Sequence, residues 1–249
     1  MTGTAILGGS GGLGAAAAAR IARRTPVTIG YFGNEEKARG VVDAIVAEGG
    51  EADAARVDLT DSASVKSFLT GAADRWGGLD AIVSATGPAI PLCALEDVTD
   101  EDFKRIYDTD VFGTFNVLRH GVELLKGSGG GSITSFITTA VHRTLENDGM
   151  SGGPKTAITG LLKQAAREAG PHNVRINGVA PGVIDAGIVL TSFEVDDVAK
   201  SVIESCMAQT PLARMGQPEE VAALVDFLAG PEATYVSGQM IAVDGGYSA

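Results

Sequence analysis

Cysteine is scarce in this 249-residue chain, with Cys93 and Cys206 the only two. Two thiols cannot build a disulfide framework or a four-thiolate zinc site, and both read as inert side chains. Histidine is nearly as rare, and His120, His142 and His172 are too scattered for metal-ligand spacing. No metal site is expected. Basic residues are outnumbered: 19 Lys and Arg stand against 31 Asp and Glu, for a formal charge of −12. A nucleic-acid binder needs Lys and Arg to displace counterions from phosphates, so this balance argues against that class and equally against an anionic membrane surface. No run of about 20 apolar residues exists, so no membrane span is expected. No basic stretch precedes the apolar run near the start, and the first positive charge is Arg20. A secretory signal is built the other way round. The expectation is a cytoplasmic protein that needs neither disulfide nor metal, because a chain of this length buries roughly 70–75% of its unfolded surface.

What the chain has in excess is glycine, 34 residues, about twice the usual share. The glycines cluster between apolar runs. Short runs at residues 4–7, 27–31, 52–57, 79–84, 132–136, 174–179 and 240–243 read as strands. Amphipathic stretches at 13–24, 34–48, 62–75, 100–125, 155–169 and 218–228 read as helices, with Thr99 or Asp100 capping the fourth. Strand-helix alternation with right-handed crossovers predicts an α/β fold: a single-domain, Rossmann-type, doubly wound parallel sheet. The Gly-rich run 127–131 is too short to divide it.

The first chemical signal is Gly8-Gly9-Ser10-Gly11-Gly12-Leu13-Gly14, between the first strand and the first helix. Glycines there let the backbone approach a pyrophosphate, and the helix start offers unpaired N–H groups. The same loop also suits a plain tight turn. No Gly-Lys-Ser/Thr follows, which excludes the phosphate loop of nucleoside triphosphatases.

The spacing Gly8, Gly12, Gly14 resembles the short-chain dehydrogenase/reductase family, with Leu7 where its usual motif has Thr. The resemblance covers nearly the whole chain. Asp58-Leu59-Thr60-Asp61 is similar to the adenine-side motif. Ser84-Ala85-Thr86-Gly87 stands where the family has Asn-Asn-Ala-Gly. Arg175-Ile176-Asn177-Gly178-Val179-Ala180-Pro181-Gly182 resembles the segment after the active-site helix, and Val243-Asp244-Gly245-Gly246 the C-terminal end. The resemblance implies a dinucleotide held by Gly8, Ser10, Gly11, Gly12, Leu13, Gly14, Tyr31, Asn34, Asp58, Leu59, Ala85, Thr86, Gly87, Lys155, Pro181, Gly182, Val183 and Ile184. Tyr31 ends the second strand where NAD-preferring members carry an acid, and Asn34 can donate to a 2′-phosphate. Gly11 stands where NADP-preferring members often carry Arg. NADP(H) is the expected cofactor, with NAD(H) the alternative.

The catalytic positions depart from the family. Its Asn-Ser-Tyr-Lys tetrad falls here on Asp110, Thr138, Ser151 and Lys155. Ser151 is shorter than tyrosine by a ring and far less acidic, and acid catalysis is typically worth about 10²–10⁴ in rate. Thr138 keeps a hydroxyl, and Lys155 keeps its family role at the nicotinamide ribose. Each has a plainer reading: Ser151 as a helix cap, Lys155 as a surface lysine, Asp110 as a structural acid. His142 and Arg143 follow the fifth strand, and either contact the substrate in place of the lost acid or are ordinary loop residues. The apolar stretch 186–193, with Ile188, Ser192 and Phe193, lies where the family has its substrate lid.

These features, with the missing tyrosine, resemble the short-chain ketoreductases that tailor polycyclic aromatic polyketides, angucyclinone types included. The expected function is an NADPH-dependent ketoreductase for a hydrophobic, polycyclic aromatic ketone. Its proton would come from substrate or water rather than tyrosine. The alternatives are a C=C or C=N reductase and a non-catalytic NADP-binding scaffold. The resemblance also implies a homotetramer or dimer.

Overall fold

The computed structural model describes residues 2–186 and 197–249. Seven strands form its frame: β1 (Gly3–Leu7), β2 (Val27–Tyr31), β3 (Ala52–Arg56), β4 (Leu79–Ser84), β5 (Gly131–Phe136), β6 (Val174–Pro181) and β7 (Met240–Val243). They make one sheet in the order β3-β2-β1-β4-β5-β6-β7, parallel throughout. The chain builds outward from β1 in one direction, then returns and builds in the other. That reversal between β1 and β4 opens a crevice at the carboxyl ends of the strands, the usual ligand position in such sheets.

Helices cover both faces. On one side lie α3 (Ser62–Trp76), α5 (Gly113–Gly127) and α6 (Gly149–Ala169); on the other lie α1 (Gly12–Ile21), α2 (Glu35–Ala47) and α8 (Pro218–Ala229). α4 (Asp100–Tyr107) and α7 (Asp197–Ala208) complete the set among the described residues. Strand side chains alternate between the layers. Ala5 and Leu7 join Ile82, Ile133 and Leu162 in one core, while Ile6 joins Ile29, Ile21 and Val225 in the other. Fully burying one such aliphatic side chain stabilises by about 1.5–3 kcal/mol. The α/β single-domain expectation holds.

Three differences from the elements read in the sequence bear on the site. The stretch 100–125 is not one helix: α4 stops at Tyr107, a π-helical turn spans Asp108–Phe112, and α5 begins at Gly113. The wide turn carries the buried Asp110. Residues 155–169 form only the later part of α6, which starts at Gly149 and runs through Pro154. Proline forfeits one intrahelical bond there, and its buried ring packs in the interior; tertiary contacts outweigh local propensity. Asp148 is the N-cap residue of this helix, so the cap lies three residues before Ser151. Finally, α7 has no counterpart among the expected elements. No helix among the described residues is long and apolar enough to cross a membrane.

Candidate active site

The glycine loop comes directly off β1. Gly8 takes φ +78°, and a Cβ on Gly14 would lie 2.3 Å from the Gly8 carbonyl oxygen. The chain can make this turn only with glycine at the closest approach. Gly11 is the N-cap of α1 and has no side chain to cap it. The first N–H groups of α1 therefore remain available to an anion, as pyrophosphate binding requires.

The ends of β2 and β3 lie where the family resemblance implies the adenosine. Tyr31 pairs with Arg56 across these strands. The Arg56 guanidinium lies 5.2 Å from the Phe32 ring centroid and its Nε donates to the Phe32 carbonyl. Glu35 accepts from Arg39 at 2.6 Å. Asn34 caps α2, its Oδ1 accepting from the Lys37 N–H at 2.8 Å, which leaves its amide nitrogen as the donor. Asp58 Oδ1 accepts from the Thr60 N–H and hydroxyl at 2.9 and 2.7 Å. The Leu59 carbonyl accepts from Asn116 Nδ2 at 2.8 Å. On the far side of the loop, the Ala85 N–H donates to the Leu7 carbonyl at 2.8 Å, and Thr86 abuts Gly8. A Cβ on Gly87 would lie 3.9 Å from Lys155 Nζ. The cradle is one that a dinucleotide fits.

At its inner end Lys155 donates to Asp110 in an ion pair, with both side chains largely buried. Burial pushes the Asp110 carboxyl up, and the Lys155 ammonium pulls it part of the way back. A cavity of 200 Å³ is lined by Asp148, on which the Lys155 charge acts, though neither member of the pair lines it. Its polar lining includes Thr138, Ser151, Asp148 and Tyr247; its apolar walls include Ile90, Leu92, Val202 and Ile203; Pro181, Gly182 and Val183 close one side. Thr138 stands at the end of β5, where its side chain also accepts from the Ala140 N–H at 3.2 Å. Ile184 is buried and bridges to Gly216.

The structure thus brings Thr138 and Ser151 together on the cavity beside the Pro181–Val183 turn, while Lys155 and Asp110 form the ion pair outside its lining. His142 and Arg143 are exposed, and neither lines the cavity. Arg143 instead donates to the Tyr247 carbonyl at 2.9 Å and to Gln209 at 2.5 Å, and stacks over the Tyr247 ring. Ile188, Ser192 and Phe193 lie outside the described residues. Asp148 escaped the sequence reading because Ser151 drew the capping role that Asp148 holds. Arg39 and Arg56 escaped it because neither lies in a family motif.

A family profile described as Enoyl-(Acyl carrier protein) reductase matches residues 8–248. The 3-oxoacyl-(acyl-carrier-protein) reductase of Staphylococcus aureus is 30% identical over 244 residues, covering 97% of this chain and 96% of its own. The versicolorin reductase of Emericella nidulans is 32% identical over 248 residues, covering 97% of this chain and 93% of its own. A short-chain type dehydrogenase/reductase from Mycobacterium ulcerans superimposes with a TM-score of 0.91 at 30% identity, over 99% of this chain and 90% of that one.

Proposed function

The chain belongs to the short-chain dehydrogenase/reductase family and is an oxidoreductase, and within that family we propose that it is an NADPH-dependent ketoreductase for a hydrophobic, polycyclic aromatic ketone. The observation that carries this reading is the cavity, where two hydroxyls, Thr138 and Ser151, meet apolar walls and the Lys155 charge acts on the lining residue Asp148. A ketone needs a hydrogen-bond donor at its oxygen and an apolar surface for its rings. The bound nicotinamide supplies the hydride. Lys155 holds its ribose, Thr138 donates to the substrate oxygen, and the Pro181–Val183 turn walls the site.

Arg56 and Arg39 beside Tyr31 support a preference for NADP(H), although Glu35 also stands beside Tyr31. Glu35 is engaged by Arg39. α6 carries no tyrosine, which supports a proton route other than a phenol on that helix. A ketone with a neighbouring phenol or enol brings its own proton along an internal hydrogen bond; other ketones need one from elsewhere in the site. Arg143 acts in this reading through Tyr247, which lines the cavity. Exposed Phe112 and Phe115 on the α4–α5 side support a homo-oligomer.

The description of the matching profile favours a second reading, reduction of a C=C bond. The relative named as a 3-oxoacyl reductase favours the carbonyl. NADPH consumption decides between them. We expect turnover of polycyclic ketones carrying an adjacent phenol, and little with isolated aliphatic ketones. Tight NADPH binding with turnover of enones only at the double bond overturns the ketone reading.

A further inference from the structure

Asp148 belongs to no motif of the family resemblance, yet its position is closely built. Asn147 before it takes φ 62°, a left-handed conformation that asparagine tolerates better than most residues. Asp148 bridges to Cys93, and the Cys93 N–H donates to the Asn147 carbonyl at 3.1 Å. Its own carbonyl accepts from the Ser151 and Gly152 N–H groups, both at 3.0 Å. As the N-cap residue of α6 its carboxyl would ordinarily bond the first helical N–H groups. It makes no such bond. The side chain lines the substrate cavity instead, together with Ser151 and Thr138.

We propose that Asp148, acting through the Ser151 hydroxyl, is the proton source for ketones that bring no proton of their own. The proposal rests on the ketone-reductase reading. As the carbonyl carbon takes its hydride, the oxygen takes the Ser151 hydroxyl proton. The Ser151 oxygen takes the Asp148 carboxyl proton in the same event. Asp148 is left as a carboxylate and is reprotonated from solvent, so charge and atoms balance. Ser151 alone is a poor acid; a carboxyl behind it makes the short side chain competent.

The neighbours fit this assignment. Burial pushes the Asp148 carboxyl up to about 6, with the Ser151 hydroxyl and the Lys155 charge holding it back. An acid of that strength suits proton transfer near neutrality. Lys155, itself paired with Asp110, faces it from α6. Cys206 faces it from α7 and Tyr247 from the C-terminal turn, with Arg143 beyond them. Burial pushes the Cys206 thiol up to about 11 and raises the Tyr247 phenol as well. Both hold their protons too tightly to take the role of Asp148.

The test uses a polycyclic ketone with a free adjacent phenol and the same ketone with that phenol methylated. Wild type should reduce both. With the methyl ether, kcat/KM should be level below pH about 6 and fall tenfold per unit above it. Asp148→Asn and Ser151→Ala should each lower that rate by about 10²–10⁴. Asp148→Asn should also remove the pH break, and Asp148→Glu should restore part of the rate. The free phenol should lose only a few-fold in either variant. Carbon-13 aspartate NMR of the whole protein should show a carboxyl titrating near 6 that Asp148→Asn deletes. If Asp148→Asn does not fold, Ser151→Ala and the wild-type titration still decide. Failure to reduce the methyl ether, an unchanged rate and pH profile in the variants, or no such carboxyl overturns the proposal and leaves the ketone reading standing. A titrating carboxyl with no reduction of either ketone overturns the ketone reading and, with it, the proton role of Asp148.

Discussion

Lys155 and Asp110, 45 residues apart in the chain, form a buried ion pair between α6 and the π-helical turn before α5. A buried pair of this kind is costly to break, because the remaining charge has neither water nor partner. The same lysine lies within reach of Gly87 at the inner end of the dinucleotide cradle. In the proposed reading one side chain therefore serves both the fold and the cofactor.

Lys155→Ala should thus cost stability and binding together. Leaving Asp110 unpaired is worth about 3–5 kcal/mol, or roughly 6–20 °C in Tm for a chain of this size. The NADPH Kd should rise in parallel, read by cofactor fluorescence. Adding Asp110→Ala to Lys155→Ala should recover part of the Tm and none of the affinity. Additive Tm losses in that cycle would mean the pair is not coupled.

Gly14→Ala tests the cradle. The new methyl group would meet the Gly8 carbonyl oxygen at 2.3 Å, and that atom is backbone, with no flexible end to swing aside. The loop must shift, and pyrophosphate binding depends on its close backbone approach. NADPH affinity should fall at least tenfold, measured by calorimetry. An unchanged Kd would place the dinucleotide elsewhere.

The sheet and the cradle were legible because each rests on local chemistry. Apolar runs of strand length, a glycine loop between strand and helix, and an Asp-Leu turn all sit within a few consecutive residues. The resemblance singled out Thr138, Ser151 and Lys155, because the family's motif spacing falls on them; of these, Thr138 and Ser151 line the cavity and Lys155 pairs with Asp110. Asp148 was not, because its side chain ignores the cap its residue type predicts and lines a cavity made by distant segments. The π-helical turn at Asp110 was hidden for a related reason. The hydrophobic pattern runs on through 100–125, and only the ion pair with Lys155 marks where the buried carboxyl sits. The place of Arg56 beside Tyr31, at the expected adenosine end, depends on which strands are neighbours, which periodicity does not specify.

Arg56→Ala tests that end. Arg56 is exposed and stands beside Tyr31, so its contact to a 2′-phosphate would be a partly solvated ionic hydrogen bond. Such contacts fall between surface pairs and fully charge-assisted bonds, so the KM for NADPH should rise roughly 5- to 20-fold. The KM for NADH should stay within about two-fold. Equal losses for both cofactors would indicate a structural role for Arg56 and no phosphate contact.

Asp244 links the C-terminal turn to the site, and its titration gives stability an acid dependence. Its carboxylate accepts from the Thr139 hydroxyl at 2.6 Å and from the Gly246 and Ser248 N–H groups at 3.0 Å. Burial alone would raise this carboxyl, but hydrogen bonds from Ser248, Thr139 and Gly246 outweigh it and hold it below the usual aspartate value. The folded state then binds this proton more weakly than the unfolded chain, whose aspartates titrate near ~3.9. The stabilisation is complete above that value and is lost as pH falls through the lower, folded one. Thr139→Val removes one of these donors, and a hydrogen bond to a charged group is worth about 1.5–3 kcal/mol. Denaturant unfolding at pH 7 should show a loss of that order, shrinking at pH 3 as the wild type also surrenders part of the interaction. Because the turn carries Tyr247 into the cavity and Arg143 bonds the Tyr247 carbonyl, the variant should also weaken ketone binding at pH 7. An equal stability loss at both pH values would mean that Thr139 acts through packing and not through the Asp244 charge.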